Sequence, residues 1–221
     1  MDSERIYQDI RFPEGHATRP YTFINMVATI DGKTLSGTRD ESVLDLGSKL
    51  DHRLMRRIEE TADAVMIGAQ TLRSSPRTWN PRAPKRIVVT RSGNLPDKAA
   101  FYEGEAYAAI PGGRLVPLPA FPLGPHEGTV DLGLLFSQLR AMEVRRVLVL
   151  GGSELNGALL QEDLIDELFL TIAPKVKLGS DIPTYAGGSA LPREHLLRFG
   201  LVEHHIAESE VFLRYRRERD T

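Results

Sequence analysis

The sequence predicts an α/β fold in one large domain: a mainly parallel central sheet with helices on both faces and an antiparallel hairpin at its C-terminal edge. Two observations carry this. Apolar runs rich in β-branched and aromatic residues alternate with stretches of helical period, the pattern of parallel strands joined by helical crossovers. Near the end, two further strand-like runs flank Glu208-Ser209 at hairpin spacing. At 221 residues and 41% hydrophobic content the chain is long enough to bury a sizeable core.

Residues 1 to 20 carry charges with Pro13, Gly15 and Pro20 but no periodicity, and read as an arm, with order beginning near Tyr21. The domain then extends over 21 to 217, and 218 to 221 form a polar tail. Tyr21 to Ile30 is a buried strand ended by Asp31-Gly32, followed by a polar loop to about Gly47. Ser48 and Asp51 resemble a capping pair, and Leu50, Leu54, Ile58 and Ala62 recur on one face of an amphipathic helix. Residues 64 to 68 form a short buried strand, 69 to 75 a helical turn stopped by Pro76, and 86 to 90 and 106 to 110 two more strands. Residues 111 to 128 hold five prolines and suit a linker or an excursion within one domain equally, so the chain is not divided there. Leu132 to Met142 is a helix, Arg146 to Leu150 a strand, Ser153 to Gln161 a helix and Glu167 to Ala173 a strand. Arg198 to Ile206 and Val211 to Arg216 close the fold as the hairpin.

Composition excludes several functions. Lys plus Arg number 28 against 30 Asp plus Glu, which is no footprint for nucleic acid. Cysteine is absent, removing disulfides, thiol nucleophiles and thiolate zinc sites. The histidines are scattered, and His204-His205 would point to opposite faces of a strand, so no metal site is expected. No apolar run approaches the roughly 18 residues of a membrane span, and the N-terminus lacks a signal-peptide core, so a cytoplasmic protein is expected.

In open parallel sheets ligands bind beyond the carboxyl ends of the strands, which directs attention to the residues just after each strand. Asp31-Gly32-Lys33-Thr34 imitates a P-loop tail, but that motif requires a glycine where Val27 stands. Gly151-Gly152 with Gly157 lacks the spacing of the dinucleotide fingerprint. What remains is a strand, two glycines and Ser153 at a helix start, which suits close backbone approach to a phosphate and equally suits a tight turn. Gly68 with Thr71, and Thr90-Arg91-Ser92, follow two other strands, and three such sites fit a dinucleotide better than one turn does. Arg91 between hydroxyls would favour a 2′-phosphate, hence NADPH, although such a triplet also suits a solvated loop. Asp31 and Lys33 place a carboxylate and an ammonium at the first strand's end, where they can orient or protonate a substrate or simply form a turn. Asn25, in an apolar strand, needs a partner if buried, and Trp79 either borders a pocket or covers the core.

These residues resemble a known family, the reductase domain of riboflavin biosynthesis, whose fold is like that of dihydrofolate reductase. The resemblance covers about residues 20 to 217 and rests on "NMVATIDGK", "ADAVMIGAQT", "GGSELNGALLQEDLIDELFLTIAP" and "VFLRYR". It implies NADPH, a homodimer, and reduction of 5-amino-6-(5-phosphoribosylamino)uracil by hydride transfer from nicotinamide C4 to the imine carbon of the opened ribosylamine. Carried over by position, Ala28 is similar to the nicotinamide contact. Thr71 and the turn of Gly151, Gly152, Ser153, Glu154, Leu155 and Asn156 are similar to the pyrophosphate cradle. Asn25, Asp31 and Lys33 match the family's first motif, and Arg82 is similar in position to a substrate-phosphate arginine. Ser42, Ser75 and Leu150 complete the substrate side.

The departures fall on that substrate side. Ser74-Ser75-Pro76 stands where Asp-Asp-Pro is usual, and Leu150 where Glu precedes the glycine pair. Glu59 replaces a cation expected to help bind the substrate phosphate. A reductase of another acceptor, such as a pterin, or a non-catalytic NADPH-binding module are therefore the alternatives. The zinc deaminase domain of bifunctional relatives is not expected, because its Pro-Cys-x-x-Cys signature is missing.

Overall fold

The computed structural model describes residues 5–41, 45–112, 115–123 and 128–219. Its strands are β1 (Tyr21–Thr29), β2 (Ala64–Gly68), β3 (Lys85–Val89), β4 (Glu105–Ala109), β5 (Arg146–Val149), β6 (Glu167–Ala173), β7 (Arg198–Ala207) and β8 (Glu210–Glu218). Its α-helices are α1 (Lys49–Glu59), α2 (Ala69–Ser74), α3 (Leu132–Ala141) and α4 (Ser153–Gln161). One sheet holds all eight strands in the order β4-β3-β2-β5-β1-β6-β8-β7. Strands β1 to β6 pair in parallel, while β8 runs antiparallel to β6 and β7 antiparallel to β8. Among the described residues no helix is long and apolar enough to cross a membrane.

Burial on both faces explains why the central strands read as continuous apolar runs. Along β1, Phe23 points into the core under α1 and Ile24 into the core under α3 and α4, and both are fully buried. On the first side α1 inserts Leu50, Leu54 and Ile58 against Val65, Ile67, Leu148 and Phe169. On the second, Leu135, Phe136 and Leu139 of α3 and Leu159 of α4 pack on Met66, Ile87, Val147 and Val149. Each such side chain contributes about 1.5–3 kcal/mol relative to an exposed one. The hairpin turns through Glu208 and Ser209 at φ 53° and 67°, the left-handed pair that matches strand twist.

Two expectations change. Order does not begin near Tyr21: Ile6 and Tyr7 are buried, Tyr7 meets Phe169 edge-on at 5.2 Å, and Phe12 stacks on Phe23 at 4.7 Å. This segment covers the sheet without regular structure, so its apolar residues show no period. The described part of the proline-rich stretch is an excursion rather than a linker, since Ala120 bridges to Ala108 and Phe121 and Leu123 enter the core.

The capping pair is also half replaced. Ser48 Oγ accepts from the backbone N–H groups of Leu50 and Asp51, each at 3.1 Å, as an N-cap should. The reciprocal carboxylate, however, is Glu210 of β8, which accepts from Ser48 N at 2.9 Å and Ser48 Oγ at 2.5 Å. Asp51 instead turns inward, 6% exposed, and burial pushes its carboxyl up to about 6, with a hydrogen bond from Thr171 opposing and the Glu210 charge adding. The folded protein therefore holds this proton more tightly than the unfolded chain does. Stability falls as pH rises from the ordinary carboxyl value of 3.8 through about 6, by ~3 kcal/mol at most, and levels off above. Asp51→Asn should melt close to the parent at pH 4 and above it at pH 8; the same difference at both values would refute this account.

Candidate functional site

Because β1, β2, β3 and β5 are parallel, their carboxyl ends share one edge of the sheet, and the post-strand segments meet there. Gly68 ends β2, and its N–H donates to Gly151 O at 2.7 Å. A Cβ on Gly68 would lie 3.4 Å from Gly152 N, and one on Gly152 would lie 3.2 Å from Thr71 Oγ1. Gly151 has φ +83°, and a Cβ there would sit 3.0 Å from Met26 Sδ. The Gly151–Gly152 peptide is cis. The paired glycines thus answer two constraints, a left-handed backbone at Gly151 and close approach of α2 and α4 at Gly152.

Arg91 reaches the same corner, donating to Glu154 Oε2 at 3.0 Å from a loop in which Thr90 Oγ1 accepts from Gly93 N and Ser92 Oγ from Asn94 N. Both partners of the Arg91–Glu154 pair are about 70% exposed, so it is worth little and a ligand phosphate can displace it. Asn156 is fully buried; its Nδ2 donates to Tyr185 O at 2.7 Å, while Oδ1 has no hydrogen-bond partner. Leu155 belongs elsewhere, since its side chain packs into the core under α3 and α4 and only its backbone remains at the turn.

At the end of β1, Ala28 is buried and Thr29 organises a tight turn. Gly32 N donates to Thr29 O and Lys33 N to Thr29 Oγ1, both at 2.8 Å. Asp31 accepts from Thr29 Oγ1 at 2.6 Å, Lys177 N at 3.1 Å and Leu178 N at 2.8 Å. These bonds, Thr29's first, lower its carboxyl to about 2. Asp31 thus ties the end of β1 to the loop after β6 through both of its carboxylate oxygens. Lys33 Nζ donates to Ile182 O at 3.2 Å in that same loop and keeps further N–H groups for a ligand.

The loop after β6 has no counterpart in the sequence reading. It runs from the Asp31 anchor past Lys33 to α4, where Gly187 N donates to Ser153 O at 2.9 Å. A Cβ on Gly157 would come 1.7 Å from Gly187 O, so that glycine serves the packing of this loop. Its proline, glycine and alternating polar residues give no period, and only Gly187-Gly188 marks close approach.

The substrate-side expectations converge less well. Asn25 is 8% exposed, with one long bond from Nδ2 to Phe169 O at 3.5 Å. Pairing of Ile24 with Val149 sets Leu150 beside Asn25, and Leu150 is buried in the core under α1. Ser75 caps the end of α2, its carbonyl accepting from the N–H groups of Thr78 and Trp79. Trp79 covers the core. Arg82 does not join this group: it pairs with Glu60 at 2.7 Å and lines a cleft of about 490 Å³ with His52, Arg53 and Arg56 on the outer face of α1. Glu59 is fully buried, paired with Arg56 at 2.7 Å and accepting from the N–H groups of Arg82 and Ala83. It holds the loop entering β3 and reverses no charge at an open site. Ser42 lies outside the described residues.

The family model described as RibD C-terminal domain matches residues 20–212. A 2,5-diamino-6-ribosylamino-4(3H)-pyrimidinone 5′-phosphate reductase of Methanothermobacter thermautotrophicus is 30% identical over 189 residues, covering 78% of this chain and 86% of that protein. The reductase of the same name in Archaeoglobus fulgidus is 28% identical over 197 residues, covering 78% and 88%. Among solved structures, Acinetobacter baumannii RibD aligns with a TM-score of 0.76 at 22% identity, covering 92% of this chain, which spans 59% of that one. A pyrimidine reductase-like protein of Corynebacterium diphtheriae aligns over the whole of both chains with a TM-score of 0.77 at 20% identity. At these identities the structural likeness establishes the fold, a dihydrofolate reductase-like α/β domain with a mostly parallel sheet and antiparallel edge strands.

If the Asp31 carboxylate is an anchor, its contribution to stability is present above the ordinary value of 3.8 and lost as pH falls through about 2. The pH profile of any activity between about pH 5 and 9 should therefore keep its limbs in Asp31→Asn, with the rate lowered uniformly. A limb that disappears in this variant would restore Asp31 as an acid or base.

Proposed function

The chain belongs to the RibD C-terminal domain family, and from that premise we propose that it is an NADPH-dependent reductase of a phosphoribosylamino-pyrimidine. The observation that carries the reading is the joining of Gly68, Thr71 and Gly151-Gly152 at one corner of the sheet, with Arg91 reaching Glu154 beside it. The corner fits a dinucleotide physically. Gly151 and Gly152 bring no side chain of their own to the start of α4, where the Thr71 hydroxyl stands beside them, and the buried Oδ1 of Asn156 still needs a donor.

In this reading the turn from Gly151 to Asn156 and Thr71 hold the pyrophosphate, Arg91 holds the 2′-phosphate, and Ala28 borders the nicotinamide. Bound NADPH would supply the hydride. The chain's own task is to position the acceptor and exclude water. Asn25 offers an amide on the substrate side, and Lys33 an ammonium whose remaining N–H groups can orient the acceptor. Asp31 keeps the loop after β6 closed against both. The archaeal relatives are named for the 2,5-diamino-pyrimidinone substrate, so that compound stands beside the uracil as the acceptor to try.

Leu150 favours a second reading. A buried leucine beside Asn25 offers no hydrogen bond to a pyrimidine edge, which suits an acceptor less polar at that point. Purified protein with NADPH and each of the two phosphoribosylamino-pyrimidines should consume reduced cofactor, and Arg91→Ala should raise KM for NADPH about tenfold while leaving that for NADH unchanged. Absence of turnover on both, with NADPH still bound, would move the assignment to another acceptor.

We also propose a homodimer. Leu201 and Ile206 of the hairpin, 52% and 61% exposed, share a face with Val211 and Leu213, an apolar surface that a second copy would cover. Light scattering should give twice the chain mass for the parent and the monomer mass for Ile206→Asp. A monomeric parent at micromolar concentration would end this proposal.

A further inference from the structure

At the amino edge of the sheet, across β5 from the glycine pair, lies a cleft of about 380 Å³ that the proposed reaction does not use. Phe12, His16 and Tyr21 line it together with Arg140, Arg145 and Arg146. Its volume is that of a small-ligand site. Arg145 and Arg146 are held by their backbone, both N–H groups donating to Asp63 Oδ2 at 2.9 Å.

The charges around this cleft are unequal. Neighbouring arginines are paired: Arg19 with Asp166 at 2.8 Å, Arg219 with Asp163 and Asp166, Arg216 with Glu167 at 2.8 Å. The nearby acids are fully engaged by those partners. Asp166 accepts from Arg19, Arg219, Thr22 N and His16, and Glu167 from Arg214, Arg216 and the Tyr21 hydroxyl. Among the described residues no hydrogen bond or ion pair engages the guanidinium groups of Arg140, Arg145 or Arg146, and Arg146 only lies over the Phe12 ring at 5.9 Å. The Asp63 carboxylate is taken up by the backbone of Arg145 and Arg146 rather than by a guanidinium, and a phosphate is the anion whose geometry best matches the three unpaired groups. The lining also holds a flat surface: His16 lies parallel to Tyr21, with 14° between the planes, and its side chain is 35% exposed.

We propose that this cleft binds a small phosphorylated compound carrying a flat ring, of the mononucleotide class, with the phosphate on Arg140, Arg145 and Arg146 and the ring on His16. The site is independent of the reductase reading, because it shares no residue with the carboxyl-edge corner. The probe is AMP, titrated calorimetrically into the full chain in the presence of NADPH, so that binding at the other edge does not contribute. AMP should bind, with adenosine and inorganic phosphate each at least about tenfold weaker. Arg140→Ala/Arg145→Ala should weaken AMP at least about tenfold and flatten its salt dependence, with an unchanged melting temperature. Should that double variant melt early, Arg145→Glu alone, at an exposed position, is expected to weaken AMP as much. Equal affinity in parent and folded variant, or no AMP binding to the parent, overturns the proposal. Displacement of AMP by a single-stranded RNA oligonucleotide at about a hundredfold lower concentration also overturns it, in favour of a nucleic-acid surface.

Discussion

The carboxyl edge is governed by one close approach, the hydrogen bond from Gly68 N to Gly151 O at 2.7 Å. It brings the ends of β2 and β5 together where two helices begin, and leaves no room for a Cβ on Gly152 unless Thr71 gives way. The β2–β5 pairing, the helix start at Ser153 and the reach of Arg91 to Glu154 all lie around that contact. The adjoining Leu150 is fixed by a second bond between the same strand ends, from its N–H to Met66 O at 3.0 Å.

A second framework surrounds it. The loop after β6 is tied at one end by Asp31 and at the other by Ser153 and Asn156, so the end of β1 and the start of α4 are held by a single stretch of chain. Fixed donors and acceptors of this kind cost little reorganisation when charge moves beside them. The expected acid and the expected phosphate-side carboxylate, Asp31 and Glu59, prove to be framework groups of this sort. Each accepts backbone N–H groups from a loop that would otherwise be loosely held.

Legibility followed periodicity. Helices α1, α3 and α4 and the six parallel strands were readable because each buries a regular stripe or a continuous run. The cover formed by Ile6, Tyr7 and Phe12 was not, because an irregular segment displays no stripe. At the carboxyl edge, the meeting of the glycine pair with Gly68 and Thr71 was legible from their places after strands. Leu155 was misread by its place in that block, whereas its spacing of four from Leu159 marks a core position. Arg82 and Glu59 depended on how distant segments align, and a position in a motif says nothing of which way a side chain turns. Glu210 as the partner of Ser48 joins residues 162 positions apart, and no local pattern announces such a pair.

The strand order has a consequence for how the chain is made. Strand β1 precedes the other seven in the sequence, yet its neighbours are β5 and β6, which begin at Arg146 and Glu167. On a ribosome, an apolar strand with both edges unsatisfied must wait until the chain has emerged past Arg146 before either partner exists. During that interval the N-terminal cover, with Ile6, Tyr7 and Phe12 only a few residues upstream, is the apolar material closest to hand. Of that segment, Phe12 stacks on Phe23 of β1 itself, whereas Tyr7 meets Phe169 of β6, so only the first contact can form before the sheet closes.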